Sequence, residues 1–573
     1  MFQTGHHGLE GLGRRLFILG RVLVQLDLHE LQAVEHLIQL GGETFGDPGL
    51  ADVHHRLEVV GLGLQELSLF GCQHGALQSS RVRQGEPKLC IVVAILAAEA
   101  PIITKSQEKP MPRPLGIIFA ALAAGAALAA PPATLRVDYY HTGTAQAESF
   151  AVDRVVVEPL PWPGNLAKSI DDTNRGKFYF EVVDRATNRV LYSRGFSSIF
   201  GEWEDTPEAK TSSFTSSESL RFPMPERPVQ INLKKRDGQN AFKEIWTFTL
   251  DPKADTVDPS LPPGPGGVIA LEKNGDPYEK VDFLILGDGY TAAERGKFEK
   301  DARRMMELLF SKSPYKEHRK DFNVWGICPP ARESGISRPS TGIHRRSPLG
   351  CTYDAFGSER YVLTFDNRTL RDVAGYAPYE FMEILVNGQT YGGGGIFGLY
   401  GTVASDNAFG PYIFVHEFGH HFADLADEYY TSDVYYETGK ARIEPWMPNV
   451  TADPKHPKWQ ALLTPGIPLP TPWKKAEFEK DSHAYQKERR QIRAENRPES
   501  EMEALMKREE AKETVHLGQD TWSGKVGAFE GANYEATGYY RSQTDCIMFT
   551  RDQVPFCAAC QGAIEQIIRL YAK

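Results

Sequence analysis

The stretch VHEFGHHFADLADEY, residues 415–429, decides how the rest of the chain is read. Its first half, HEFGH, is a filled-in H-E-x-x-H. On a helix, residues four apart lie one turn apart on the same face, so His416 and His420 can grip a single metal ion. Glu417 sits beside them, within reach of the open coordination position, where it can act as general base toward water. An apolar run, residues 412–415, leads into the pair, and Asp424, Asp427 and Glu428 follow it at ligand distance. A buried helix whose histidines merely bond to backbone would leave those acids without a role.

A catalytic zinc keeps three protein ligands and one open position. In the compact arrangement a glycine and then a third histidine follow the second histidine, and here Ala423 and Ala426 occupy those places. Asp427 and Glu428 come next. On a straight helix Asp427 would lie about 10 Å beyond His420, too far to share an ion. The spacing therefore predicts that the helix turns back near residues 423–426. After such a turn either Asp427 or Glu428 can be the third ligand, and the acid left over can orient a histidine from behind. Asp424 ranks behind both, and His421, off the metal face, reads as structural.

With 573 residues, 41% of them hydrophobic, the chain can fill two or three domains. A net charge of −11 argues against a general nucleic-acid binder. Residues 1–110 hold seven of the sixteen histidines and show no sustained helix or strand period. They precede MPRPLGIIFAALAAGAALAAPP, residues 111–132, which has a basic start, an apolar run and small residues at Ala127 and Ala129. That is the pattern of a secretory signal peptide. The expectation is that translation starts at Met111, that 1–110 are not part of the mature protein and that 111–130 are removed. The mature chain is then secreted or periplasmic, without stable membrane insertion. A single anchor behind a genuine N-terminal domain is the rival, but the run is short for a spanning helix. No cysteine follows it, which argues against a lipid anchor.

Short alternating runs bounded by turn residues, such as FYFEVV at 178–183 and IWTFTL at 245–250, predict a small antiparallel β-sandwich over 131–252. Proline, glycine and acid mark a linker at 253–267. The second domain, 268–573, opens with the strand-like VDFLILGDGY (281–290). A capping box at Thr291 and Glu294, an amphipathic helix and a second strand (322–327) follow. This order suggests a right-handed βαβ unit. YGGGG (391–395) reads as a bulged edge strand or hinge beside which a peptide could add. Residues 431–518 read as an insertion whose charged part forms two surface helices broken at Pro498.

Of seven cysteines, Cys328, Cys351, Cys546, Cys557 and Cys560 fall in this region. Cys557 and Cys560 form a C-x-x-C, but no matching second pair of zinc ligands stands out. In a secreted chain disulfides are the expectation, with Cys328–Cys351 one pair and two of the remaining three another.

Taken together, YGGGG (391–395), VHEFGHHFADLADEYY (415–430), GYYR (538–541), DCIM (545–548) and FCAAC (556–560) resemble the bacterial IgA-specific metallopeptidase family and its secreted relatives. The resemblance runs from about residue 281 to the C-terminus, with a β-rich N-terminal domain of similar size before it. It implies an α+β chain: an N-terminal β-sandwich followed by a metzincin-like α/β zinc metallopeptidase domain. It further implies an endopeptidase that holds one Zn2+ on His416, His420 and an acid of the segment 426–428, with Glu417 as general base. Met548 resembles the methionine of the tight turn beneath the metal, and Tyr539 or Tyr540 is a candidate for stabilising the oxyanion by its hydroxyl. The expected partner is a protein or peptide substrate, and immunoglobulin A itself is not implied. Two rivals are a non-catalytic surface- or glycan-binding protein that retains the fold, and a hydrolase of glycan or non-peptide amide bonds. Retention of all of His416, Glu417 and His420 speaks against the first.

Overall fold

The computed structural model describes residues 131–431, 442–552 and 554–573, all within one unit of the chain, Gly125–Lys573. Residues 1–110 and the expected signal peptide at 111–130 lie outside the described residues. Among the described residues no helix is long and apolar enough to cross a membrane.

The alternating runs of the N-terminal region form β1 (Ala133–Gly143), β2 (Glu148–Pro161), β3 (Phe178–Asp184), β4 (Val190–Phe196), β5 (Phe214–Pro223), β6 (Val229–Arg236), β7 (Phe242–Leu250) and β8 (Val257–Asp258), with a short helix α1 (Ile199–Trp203) after β4. They make two four-stranded sheets, ordered β5-β1-β2-β8 and β4-β3-β6-β7. Successive side chains of a strand point to opposite faces. Leu135, Val137 and Tyr139 of β1 therefore share one core with Phe178, Phe180 and Val182 of β3 and with Val229, Ile231 and Leu233 of β6. All pairs are antiparallel except β2–β8, where part of the expected linker joins the sheet. Arg136 and Asp138 of β1 are buried too. Arg136 bonds Asp138 and, at 2.5 Å, Asp372 of the second domain, and Arg221 bonds Glu158 and the Tyr379 carbonyl. An ion-pair network thus seals this face against the C-terminal region instead of leaving it to water.

That region contains β9 (Val268–Glu272), β10 (Val281–Asp288), α2 (Arg295–Leu309), β11 (Phe322–Ile327), β12 (Cys351–Thr352), β13 (Leu363–Thr364), α3 (Asn367–Ala374), β14 (Phe381–Val386), β15 (Gly393–Ile396), β16 (Tyr400–Ala404) and α4 (Gly410–Ala423). Six strands form one sheet in the order β15-β16-β14-β10-β11-β9. The inner pairs are parallel and both edge strands antiparallel. β10 is buried along its whole length, as a central parallel strand must be. Its residues divide by parity: Phe283 and Ile285 meet α2 and α4 on one face, and Leu284 and Leu286 meet α3 on the other. The capping box forms as read, with Glu294 accepting from the Thr291 N–H at 2.8 Å just ahead of α2.

The remaining elements are β17 (Val450–Thr451), α5 (Lys475–Ala494), α6 (Glu499–Gly518), β18 (Phe529–Ala532), β19 (Glu535–Arg541) and α7 (Ala558–Tyr571). Helices α5 and α6 turn at Pro498, but they are not a free projecting hairpin. Phe478, Tyr485 and Ile492 of α5 and Met502, Leu505 and Met506 of α6 join the same core as α4. Glu499 accepts from the Tyr391 N–H and Glu503 from the Ala408 N–H, so α6 also braces the loops around the glycine strand and α4. The few apolar residues of these helices recur at helical spacing, and this low count hid a buried face.

Candidate metal centre

Helix α4 carries His416 and His420 one turn apart and ends at Ala423. Asp424 then takes the left-handed conformation, φ 51° and ψ 41°, which an aspartate tolerates better than a branched residue. Its carboxylate accepts the Gly176 N–H at 2.7 Å, and Arg175 donates to the Ala423 carbonyl at 2.5 Å. The N-terminal region therefore holds the end of α4, and the chain doubles back there.

The return brings Asp427 Oδ1 to 3.1 Å from His416 Nε2 and 3.2 Å from His420 Nε2, with the two nitrogens 3.2 Å apart. His416 Nδ1 faces the Ile547 carbonyl at 2.9 Å and His420 Nδ1 the Leu425 carbonyl at 2.5 Å. A carbonyl only accepts, so each ring carries a hydrogen on Nδ1 and leaves Nε2 as the atom that can ligate a metal. Two imidazole Nε2 atoms and one carboxylate oxygen thus converge on one point. A tetrahedral ion with ligands at about 2.0–2.1 Å sets its donors about 3.3 Å apart, close to these spacings. The three residues fit a metal.

The two acids left open by the sequence are thereby separated. Glu428 does not face the histidines: its Oε1 lies 3.4 Å from both Cys557 Sγ and Cys560 Sγ and accepts from Asn449 at 3.0 Å. The side chains of neighbouring residues in a non-helical run diverge, so one carboxylate enters the cleft and the next enters the interior. The five described cysteines are free buried thiols, so neither expected disulfide is formed among the described residues.

Glu417 borders a cleft of about 590 Å³ that the N-terminal region helps to wall with Lys177, Ser197 and Asp205. Burial raises its carboxyl pKa above the ordinary value, against the pull of His416 and His420. The four glycines sit opposite. A Cβ on Gly395 would stand 2.3 Å from the Glu417 carbonyl and one on Gly393 2.5 Å from Ile413, so only glycine lets β15 lie this close to α4. Gly393 is bridged on its outer side by residues 360–362. Met548 packs against Gly419 beneath the helix, and its carbonyl accepts the Glu428 N–H at 2.8 Å.

Tyr539 lines the cleft with its hydroxyl bonded to the Ile443 carbonyl at 3.2 Å, and Tyr540, the next residue of β19, does not line it. The tyrosines nearer His416 and Asp427 are Tyr534, whose hydroxyl donates to Asp427 Oδ2, and Tyr429, stacked on His416 with Arg360 at its hydroxyl. Asn533 and Tyr534 both have positive φ, as the primed turn of a two-residue hairpin requires. A tyrosine in that conformation is rare. No sequence feature announced it beyond NY standing between two strand-like runs.

Comparison with curated proteins finds no match. A protein-family description, IgA Peptidase M64, matches residues 269–568, and a second, Peptidase M64 N-terminus, matches residues 129–247. The first spans more than half of the chain and contains every metal-facing residue described above. The chain belongs to the IgA peptidase M64 family, a family of metallopeptidases.

Proposed function

We propose that this chain is a secreted zinc-dependent endopeptidase, with His416, His420 and Asp427 holding the ion and Glu417 as general base. The convergence of two imidazole nitrogens and a carboxylate at 3.1–3.2 Å, beside Glu417 in a cleft, carries the reading. When bound, a zinc ion there supplies Lewis acidity toward water and the scissile carbonyl.

The protein's own groups do the rest. Glu417 takes a proton from the attacking water onto its carboxylate and returns it to the leaving amine. Its raised pKa suits it to hold that proton between the two transfers. Tyr534 holds Asp427 Oδ2, so that Oδ1 keeps its aim. Arg360 and Tyr429 present hydrogen-bond donors where charge develops on the carbonyl oxygen, a role that Tyr539, with its hydroxyl engaged by Ile443, fills less well. A cleft of about 590 Å³ lined from both the N-terminal and the C-terminal regions has room for a peptide.

Digestion of casein or a peptide library, with and without chelator, tests the reading. Glu417→Gln should abolish cleavage, by about 10³-fold or more, while zinc content stays unchanged. Cleavage that survives this substitution would overturn it.

A further inference from the structure

A second group of metal-binding side chains lies behind the first. Glu428, Cys546, Cys557 and Cys560 are all buried, and their ligand atoms lie within 4.8 Å of one another. Cys546 Sγ is 3.9 Å from Cys560 Sγ, and Glu428 Oε1 is 3.4 Å from the sulfurs of Cys557 and Cys560. A disulfide would need about 2.05 Å between sulfurs. A tetrahedral zinc with bonds of about 2.3 Å to sulfur and 2.0 Å to oxygen sets sulfurs about 3.8 Å apart and sulfur from oxygen about 3.5 Å. The observed spacings are those of a tetrahedron's edges.

The surroundings favour thiolates. Cys546 Sγ accepts the N–H groups of Cys557 (3.2 Å) and Met548 (3.5 Å), and Cys557 Sγ accepts that of Cys560 at the start of α7. A helix N-terminus stabilises negative charge. Glu428 Oε2 is buried with no hydrogen-bond partner, an arrangement that is costly for a carboxylate without a compensating charge. The C-x-x-C lacks a second ligand pair only along the chain, because the fold brings Cys546 from the turn beneath α4 and Glu428 from the segment behind it.

The geometry points to a second, structural zinc centre on Cys546, Cys557, Cys560 and Glu428, distinct from the one in the cleft. Such a centre would tie the segment carrying Asp427 to the turn carrying Ile547, whose carbonyl orients His416, so it would set the cleft without touching substrate.

The full chain carrying His416→Ala and His420→Ala tests this apart from catalysis. After zinc loading and removal of free metal it should retain one zinc per chain. X-ray absorption should show three sulfurs at about 2.3 Å and one light ligand. Replacement by cobalt(II) should produce a thiolate-to-cobalt charge-transfer band in the near ultraviolet, which a His2Asp site cannot give. Adding Glu428→Gln should weaken retention against a competing chelator at least tenfold. The cobalt spectrum of the unsubstituted chain provides the same readout should the variants fold poorly. A double variant that holds no zinc, a cobalt spectrum without the thiolate band, or a Cys546–Cys560 disulfide in the purified chain would overturn the proposal. Loss of peptidase activity alone would not.

Discussion

Asp427 and Glu428 are consecutive residues whose carboxylates serve two different clusters. Asp427 Oδ1 lies 3.1 Å from His416 Nε2 in the cleft, and Glu428 Oε1 lies 3.4 Å from Cys557 Sγ in the interior. The left-handed turn at Asp424 fixes which of the two reaches the histidines, and the Glu428 N–H to the Met548 carbonyl bond holds the register.

Tyr534 bonds the outer oxygen of Asp427 from a strained turn. Removing that hydroxyl leaves the fold but frees the carboxylate to rotate. Tyr534→Phe should weaken metal retention by about 10–100-fold, the usual effect of losing a ligand's supporting partner. Chelator competition measures this, and a thermal midpoint within a few degrees of the parent shows that the fold is intact.

Gly395 faces the backbone of α4, with room for no Cβ. Gly395→Ala should push β15 away from α4 and displace Glu417. A displacement near 1 Å at a catalytic group costs on the order of 10²-fold, so kcat/KM should fall by about that much. Unchanged kinetics would show that the strand can shift without moving the helix.

Asp424 combines a left-handed backbone with an acceptor for the Gly176 N–H. Asp424→Ala keeps the backbone cost and loses the bond, whereas Asp424→Gly loses only the bond. Both should lower the thermal midpoint. The alanine variant should be the less stable by about 1 kcal/mol, the left-handed penalty that glycine escapes.

His141 is buried between Glu148 at 2.9 Å and Glu218 at 3.3 Å and stacks on Phe200. Burial alone would lower its pKa, but the two carboxylates outweigh it and raise the pKa above the ordinary value. A raised folded pKa means that folding favours the protonated ring. The stabilisation is then complete below the unfolded pKa of about 6.5 and is lost as pH rises through the folded value. His141→Gln should therefore lower the thermal midpoint more at about pH 6 than at about pH 9. An equal loss at both would assign the effect to packing alone.

Much of this protein was legible because its signals are local. The i, i+4 pair of His416 and His420 needs only a helix, the Thr291–Glu294 box only the first turn of one, and the alternation of Leu135, Val137 and Tyr139 only a strand with one buried face. The family resemblance rested on such runs, and the family match over 269–568 bears it out. The buried side of α5 and α6 was harder to see, because sparse apolar residues at helical spacing look solvated until a core exists to receive them. The bond from Tyr534 to Asp427 was not legible, because a turn residue's reach depends on where its hairpin is carried.

By itself, then, the sequence determined that a helix would present two histidines and a glutamate, and that the chain must reverse after it. Which acid followed them into the cleft, and what became of the C-x-x-C, only the tertiary structure decided. Both depend on contacts between segments remote in the chain: Gly176 with Asp424, Ile547 with His416, and Cys557 with Glu428. Local periodicity records which face a side chain takes on its own element, but carries no record of the partner that face will meet.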